Sequence, residues 1–365
     1  MNRLKISNEL IVLGTSFGLA IMVLPGVVRV AKYLNLFDKQ TDRKIHSTKT
    51  PPVGGIAIFI ASVLSFLLNS GSFDIDTFKA VNAAAVILFF VGLQDDIVDI
   101  SAKRKFAIQA ISVGILILLG GFRITSFNGL FGFREVAFLP GFIITFLFVM
   151  GTVNAWNLID GIDGQAAGLG ILASMFFGIW FSAAGYPTLS ILAFTLTGSL
   201  AGFFLYNVYG KVYKVFMGDS GSLFTGLVLS VLAIRFMNLS SGTVHPLQFD
   251  SPPAVAFAVL FIPLFDMVRV FSVRLLRGKT PFFGDRNHLH HRLLRYFPRH
   301  IQVTGLTTGW NLFLVFLIIV LDNSGVDIHV LFLVLILSGF VISTMNWTNV
   351  ALWIKKIFVF PREIL

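Results

Sequence analysis

The chain has 365 residues, a formal net charge of +10, 56% hydrophobic residues and only 13% charged ones, with a mean hydropathy of +0.84. Soluble domains carry about a quarter charged residues, so this composition excludes a water-soluble globular protein and indicates a membrane protein. The absence of cysteine excludes disulfides and thiolate metal sites.

In chain order, apolar runs that cross or nearly cross a bilayer predict an all-α polytopic membrane protein with about eleven (10–11) transmembrane helices. They lie near residues 10–30, 53–68, 80–94, 106–120, 139–154, 165–184, 189–206, 221–237, 253–276, 306–321 and 328–347. The first follows two basic residues and reads as a retained helix rather than a cleaved signal. Gly121 to Leu139 is too polar and Gly-broken to span, so it is expected as a surface hairpin. There is no second soluble domain, and residues 1–365 are taken as one membrane domain.

Sidedness follows from the basic residues. Eleven spans put the loops after helices 1, 3, 5, 7 and 9 and the C-terminus on one side, with 22 of the 28 Lys and Arg residues. The positive-inside rule makes that side cytoplasmic. Basic residues confined to short loops between apolar segments report topology and headgroup contact, so no nucleic-acid partner is expected.

The acidic clusters fall on the same side, although sidedness was read from basic residues alone. Carboxylates at a membrane edge are costly and default to a functional reading. Before them, the first loop brings Lys49 up to a Pro-Pro turn and a Gly-Gly helix entry, a pattern that suits phosphate binding or headgroup anchoring equally. Asp95 and Asp96 end a short apolar helix, with Asp99 one turn on; adjacent carboxylates repel, so one keeps a proton or a cation sits between them. Asn154, Asn157, Asp160 and Asp163 recur at steps of three, which on a helix gives a row of oxygen ligands. No Lys or Arg lies in that segment, so an external hard cation, Mg²⁺ or alternatively Mn²⁺, is expected. Asp219, in Gly218-Asp-Ser-Gly-Ser222, opens the next apolar helix, either beside an anion site or as a plain N-cap. His288, His290 and His291 lie with Arg286 in a polar loop, a combination suited to a diphosphate or nucleotide. Zinc is the weaker reading, because His290 and His291 are adjacent and no cysteine is available.

Taken together, Pro51-Pro-Val-Gly-Gly55, Gly92-Leu-Gln-Asp-Asp96, Asn154 through Gly164, Phe216 through Ser222 and His288-Leu-His-His291 resemble the polyprenyl-phosphate N-acetylhexosamine-1-phosphate transferases. The likeness runs from about residue 43 to 294, in family order. The related muramoyl-pentapeptide transferases carry three consecutive histidines; here Leu289 interrupts the run, which resembles the UDP-N-acetylglucosamine branch. Gln165 and Asp99 depart slightly from the family pattern. The resemblance implies transfer of N-acetylglucosamine 1-phosphate from UDP-GlcNAc to undecaprenyl phosphate, with release of UMP and dependence on Mg²⁺. It implies Asp219 as a metal ligand, Asp95, Asp96, Asp160 and Asp163 in the catalytic centre, and the His motif in nucleotide-sugar binding. It places the protein in the cytoplasmic (inner) membrane as a multi-pass enzyme of cell-surface glycan assembly, and leaves a homodimer and another UDP-N-acetylhexosamine open.

The expected chemistry is direct attack by the lipid phosphate, with Asp95 or Asp96 orienting it; a covalent aspartyl intermediate is the other route. A membrane prenyltransferase would use Asp95, Asp96 and Asp99 but leave the Gly-Asp-Ser and His motifs unexplained. A secondary transporter would place its charges at the bilayer midplane.

Overall fold

A computed structural model describes residues 2–36, 50–69, 75–240, 248–278, 280 and 287–350. Among them the chain is helical, with no strand beyond one isolated bridge. The helices are α1 (Asn2–Tyr33), α2 (Gly54–Asn69), α3 (Ile75–Ile97), α4 (Ala102–Leu118), α5 (Phe138–Ile159), α6 (Gln165–Ala183) and α7 (Pro187–Tyr209). They continue with α8 (Gly218–Ser240), α9 (Pro252–Val259), α10 (Phe261–Leu276), α11 (Leu289–Leu293), α12 (His300–Asn323) and α13 (Ile328–Thr344).

Every expected apolar run falls on a helix, but fewer than eleven of these helices span by length and composition alone. Seven helices among the described residues are long and apolar enough to cross a membrane, and the pair α9 and α10 makes up to eight. Helices α2 and α13 have 16 and 17 residues. At 1.5 Å per residue they reach about 24–26 Å, short of the roughly 30 Å hydrocarbon core. Helix α4, also 17 residues, spends its first turn on Lys103, Arg104 and Lys105.

The run expected as one helix over 253–276 is instead bent by 81° between α9 and α10. Pro263 lies in the first turn of α10, and its ring cannot donate to the preceding turn. Backbone groups freed inside a membrane must find partners. Asn311, fully buried on α12, supplies them: its Oδ1 accepts from Ile262 N at 3.0 Å, and its Nδ2 donates to Val259 O at 3.0 Å.

Helix α8 is the hub. Every residue from Ser220 to Ile234 is buried, and α2, α3, α5, α6 and α9 pack around it. The outer helices turn Phe90, Leu147, Ile179, Phe316 and Leu337 outward, an exposed apolar surface suited to lipid. The segment between α4 and α5 is the expected hairpin, bridged at Ser126 and Glu135.

Candidate active site

The C-terminal ends of α3 and α5 meet the N-termini of α4 and α8 at one end of the bundle. Two carboxylates in the last turn of α3 face the negative end of that helix's dipole, an unfavourable place taken alone. Asp96 is stabilised by a different helix. Its Oδ1 accepts from Asp219 N at 2.7 Å, and its Oδ2 accepts from Ser220 N at 3.0 Å and Ser220 Oγ at 2.7 Å. Asp96 therefore caps α8, satisfying backbone donors that have no partner within that helix. The close approach requires glycine at position 92, where a Cβ would lie 2.5 Å from Ser220 N.

Asp95 points elsewhere. It accepts from Ile100 N at 2.8 Å and from Lys105 Nζ at 2.9 Å. Lys105 also pairs with Asp219, so one ammonium joins α3 to α8. Asn157, on the last turns of α5, donates to Asp219 Oδ1 at 2.6 Å and to Ser222 Oγ at 3.0 Å. Asp219 is thus the node of the cluster and not the N-cap of its own helix.

The expected single row from Asn154 to Asp163 is corrected, because α5 ends at Ile159 and Asp160 is its C-cap. Asn154 turns to α4 and donates to Gln109 Oε1 at 2.9 Å. Burial, together with the charges of Asp219, Asp96 and Asp163, pushes Asp160 well above the usual carboxylate range. Asp163 behaves oppositely. Burial works to raise it, but His300 and Lys214 outweigh that and hold it below its ordinary value. Lys214 Nζ lies 2.6 Å from Asp163 Oδ2, and His300 Nδ1 lies 3.2 Å from it. The expectation that nothing basic neutralises this segment therefore fails for Asp163: its partners come from the loop before α8 and from the first residue of α12. Asp163 Oδ1 is buried without a hydrogen-bond partner.

The His motif closes over this turn from α11. A Cβ at Gly161 would lie 2.3 Å from His290 Nε2, so the glycine makes room for the imidazole. His288 Nδ1 lies 2.8 Å from Asp266 Oδ2, and Asp266 Oδ1 accepts from Arg269 Nη2 at 2.7 Å and from Leu289 N at 2.9 Å. The ring of His291 is centred 4.3 Å from that of His290. Lys49 and Arg286, expected at the site, lie outside the described residues.

Asp266, Lys105, Lys214 and His300 were not picked out as site residues from sequence. Asp266 had a usable signal, a lone carboxylate in an apolar run with Arg269 one turn on. His300 had none. Removing Asp266 would leave Arg269 its contact with Asn287 O but no counter-charge, and would release His288. Asp266→Ala is therefore expected to cost on the order of 3–5 kcal/mol, seen as a lowered thermal midpoint of the purified protein.

His290 is buried, and both ring nitrogens lack partners. Burial first, then the neighbouring His291, pushes its pKa down to about 3 from the ordinary 6.5. The unfolded chain takes up this proton near 6.5 and the folded chain only near 3, so the stabilisation is full above 6.5 and is lost as pH falls between those values. His290→Asn should consequently lose less thermal stability than the native chain between about pH 7 and about pH 5. Equal losses would remove His290 from the acid response.

The chain is therefore a polytopic helical membrane protein with a carboxylate- and histidine-rich polar end. The sequence model of glycosyl transferase family 4 matches residues 78–237. A Yersinia pestis undecaprenyl-phosphate alpha-N-acetylglucosaminyl 1-phosphate transferase is 34% identical over 299 residues, 81% of this chain and 78% of the relative. Its counterpart in Escherichia coli (strain K12) is 34% identical over 301 residues, with the same coverage. The Salmonella typhi protein of that name is 32% identical over 272 residues, 73% of this chain and 71% of the relative. The chain belongs to glycosyl transferase family 4.

Proposed function

We propose that the protein transfers N-acetylglucosamine 1-phosphate from UDP-GlcNAc to undecaprenyl phosphate, releasing UMP and forming the lipid-linked precursor of a cell-surface polysaccharide. The observation that carries this reading is the convergence of Asp95, Lys105, Asn157 and Asp219 at one end of the bundle, with Asp160 within electrostatic reach. The names of the relatives agree with it. The proposal includes an inner-membrane location with this end in the cytoplasm, and an eleven-span topology in which α2, α4 and α13 cross a locally thinned bilayer.

The donor set fits Mg²⁺. The groups are hard oxygens, and Lys105 already places one positive charge between the carboxylates of Asp95 and Asp219. No group of three or more His, Asp or Glu side chains with metal-site geometry occurs among the described residues. Mg²⁺ sites use one or two carboxylates and complete their shell with water and substrate phosphate. Asp219, with Asp95 and the Asn157 side chain, would hold the ion. Bound there, it would neutralise phosphate charge and polarise the phosphoryl oxygens.

The chain's own residues account for the remaining steps. A phosphate monoester has a second pKa near 6, so the lipid phosphate is largely dianionic at neutral pH and needs no strong base. Its oxygen forms the new bond to the sugar-linked phosphorus, while the bond from that phosphorus to the UMP oxygen breaks. Lys105 offsets the repulsion between the two anions. Asp95 orients the attacking phosphate, and Asp160, raised by burial and by the neighbouring carboxylates, lies within electrostatic reach of the reacting groups. His290 stays neutral and offers its free ring nitrogens to the nucleotide-sugar.

The test is UMP release by the purified full chain with UDP-GlcNAc, undecaprenyl phosphate and Mg²⁺, each omitted in turn. Release that requires all three supports the reaction. Folded protein that releases no UMP with any UDP-N-acetylhexosamine would overturn it.

A further inference from the structure

A second polar site lies beside α11. Leu289, Arg292, Leu293 and Tyr296 recur at helical spacing and line a cavity of about 170 Å³. The last turn of α13 and the residues after it, Ile342 to Trp347, form the opposite wall. Liquid water takes about 30 Å³ per molecule, so the space exceeds several waters and accommodates a phosphate group.

The polar lining is one-sided. Among the described residues Arg292 and Arg295 make no ion pair and no carboxylate lines the cavity. The hydroxyls of Ser343 and Thr344 spend their protons on Phe340 O, at 3.1 and 2.6 Å. Trp347 Nε1 likewise donates to Ile342 O at 3.2 Å. Asn346 uses its Oδ1 to accept from Thr348. Among the described residues that leaves two guanidiniums, the Tyr296 hydroxyl and the Asn346 amide as donors without protein acceptors. Partial burial first, and then the charges of Arg269 and Arg295, hold Arg292 below its ordinary value, and an anion bound beside it would offset both.

The location narrows the anion. The cavity joins the C-terminal end of the apolar helix α13 to α11, which carries the His motif, and Trp347 and Tyr296 line its wall. Basic pockets between membrane helices bind phospholipid headgroups. We propose that the cavity between α11 and the C-terminal end of α13 is a binding site for a phosphate-bearing anion, held by Arg292, Arg295, Tyr296 and Asn346. The anion ties α11 to α13. This inference does not depend on the transferase reading.

The experiment measures binding of phosphatidylglycerol, phosphatidylcholine and inorganic phosphate to the detergent-purified full chain, by native mass spectrometry and by thermal shift. Phosphatidylglycerol is expected to bind in clear preference to phosphatidylcholine. Arg295 is exposed, so Arg295→Gln leaves packing intact and should weaken phosphatidylglycerol binding about tenfold, the loss of one charge-assisted hydrogen bond. Asn346→Leu, outside α11, should weaken it by a smaller factor. Displacement of the lipid by millimolar inorganic phosphate would identify the free ion as sufficient, and persistence of the lipid would identify the headgroup. Equal binding of both lipids together with no phosphate binding, or unchanged affinity in both variants, would overturn the site.

Discussion

Asp219→Ala is expected to reduce UMP release by about three orders of magnitude or more while the protein remains folded. Removing a single preorganised electrostatic contact in an active site costs about 10²–10³ in turnover. Asp219 makes several at once: it pairs with Lys105, accepts from Asn157 and contributes charge at Asp160. The stability cost should be small, because Lys105 keeps Asp95 at 2.9 Å and Asn157 keeps Ser222 at 3.0 Å. A partly buried carboxylate also carries a desolvation penalty that alanine removes. The expected signature is therefore lost turnover with a nearly unchanged thermal midpoint. Asp219→Asn should retain the Asn157 contact with its amide oxygen yet still fail to turn over, since it lacks the charge that holds Lys105. Near-native turnover in either variant would remove Asp219 from the centre of the reaction.

That node was half legible in the sequence. The carboxylates could be found because charge at the edge of an apolar segment has no cheap explanation, and the basic loops independently put them on one side. The partners could not be found by the same route. Lys105 reads as one of three consecutive basic residues marking a cytoplasmic loop, and only the return of α4 past α3 points it at Asp95 and Asp219. Lys214 and His300 are 51 and 137 residues from Asp163. Their pairing depends on where a loop and the start of α12 come to lie, which no local period encodes. The step-of-three pattern misled for a related reason. It is compatible with a helix but does not require one, and the Gly161 to Gly164 turn ends α5 before the row is complete. The break between α9 and α10 was hidden because Asn311, which satisfies it, lies in a run that is otherwise ordinary apolar helix.

The adjacent pair Asp95 and Asp96 should separate cleanly under substitution, although they differ by one position in sequence. Asp96 uses both oxygens on the first turn of α8, at 2.7 to 3.0 Å. Asp96→Ala leaves two backbone N–H groups and a hydroxyl without an acceptor in a packed interface. A lost cap and buried unmet donors together cost on the order of 3 kcal/mol. The first turn of α8 carries Asp219, so turnover should fall along with stability. Asp96→Asn offers one oxygen where two were used and turns an amide N–H₂ toward other donors, so it should resemble alanine more than aspartate. Asp95 instead holds Lys105 and the Ile100 N–H at the edge of the cluster. Asp95→Asn should keep the backbone contact and the fold, and lower turnover by about a hundredfold through loss of the charge that positions Lys105. Thermal midpoint plotted against kcat should then place Asp95→Asn among variants that lose turnover alone and Asp96→Ala among those that lose both. If Asp96→Ala kept its midpoint and Asp95→Asn lost it, the assignment of capping to one carboxylate and chemistry to the other would have to be exchanged.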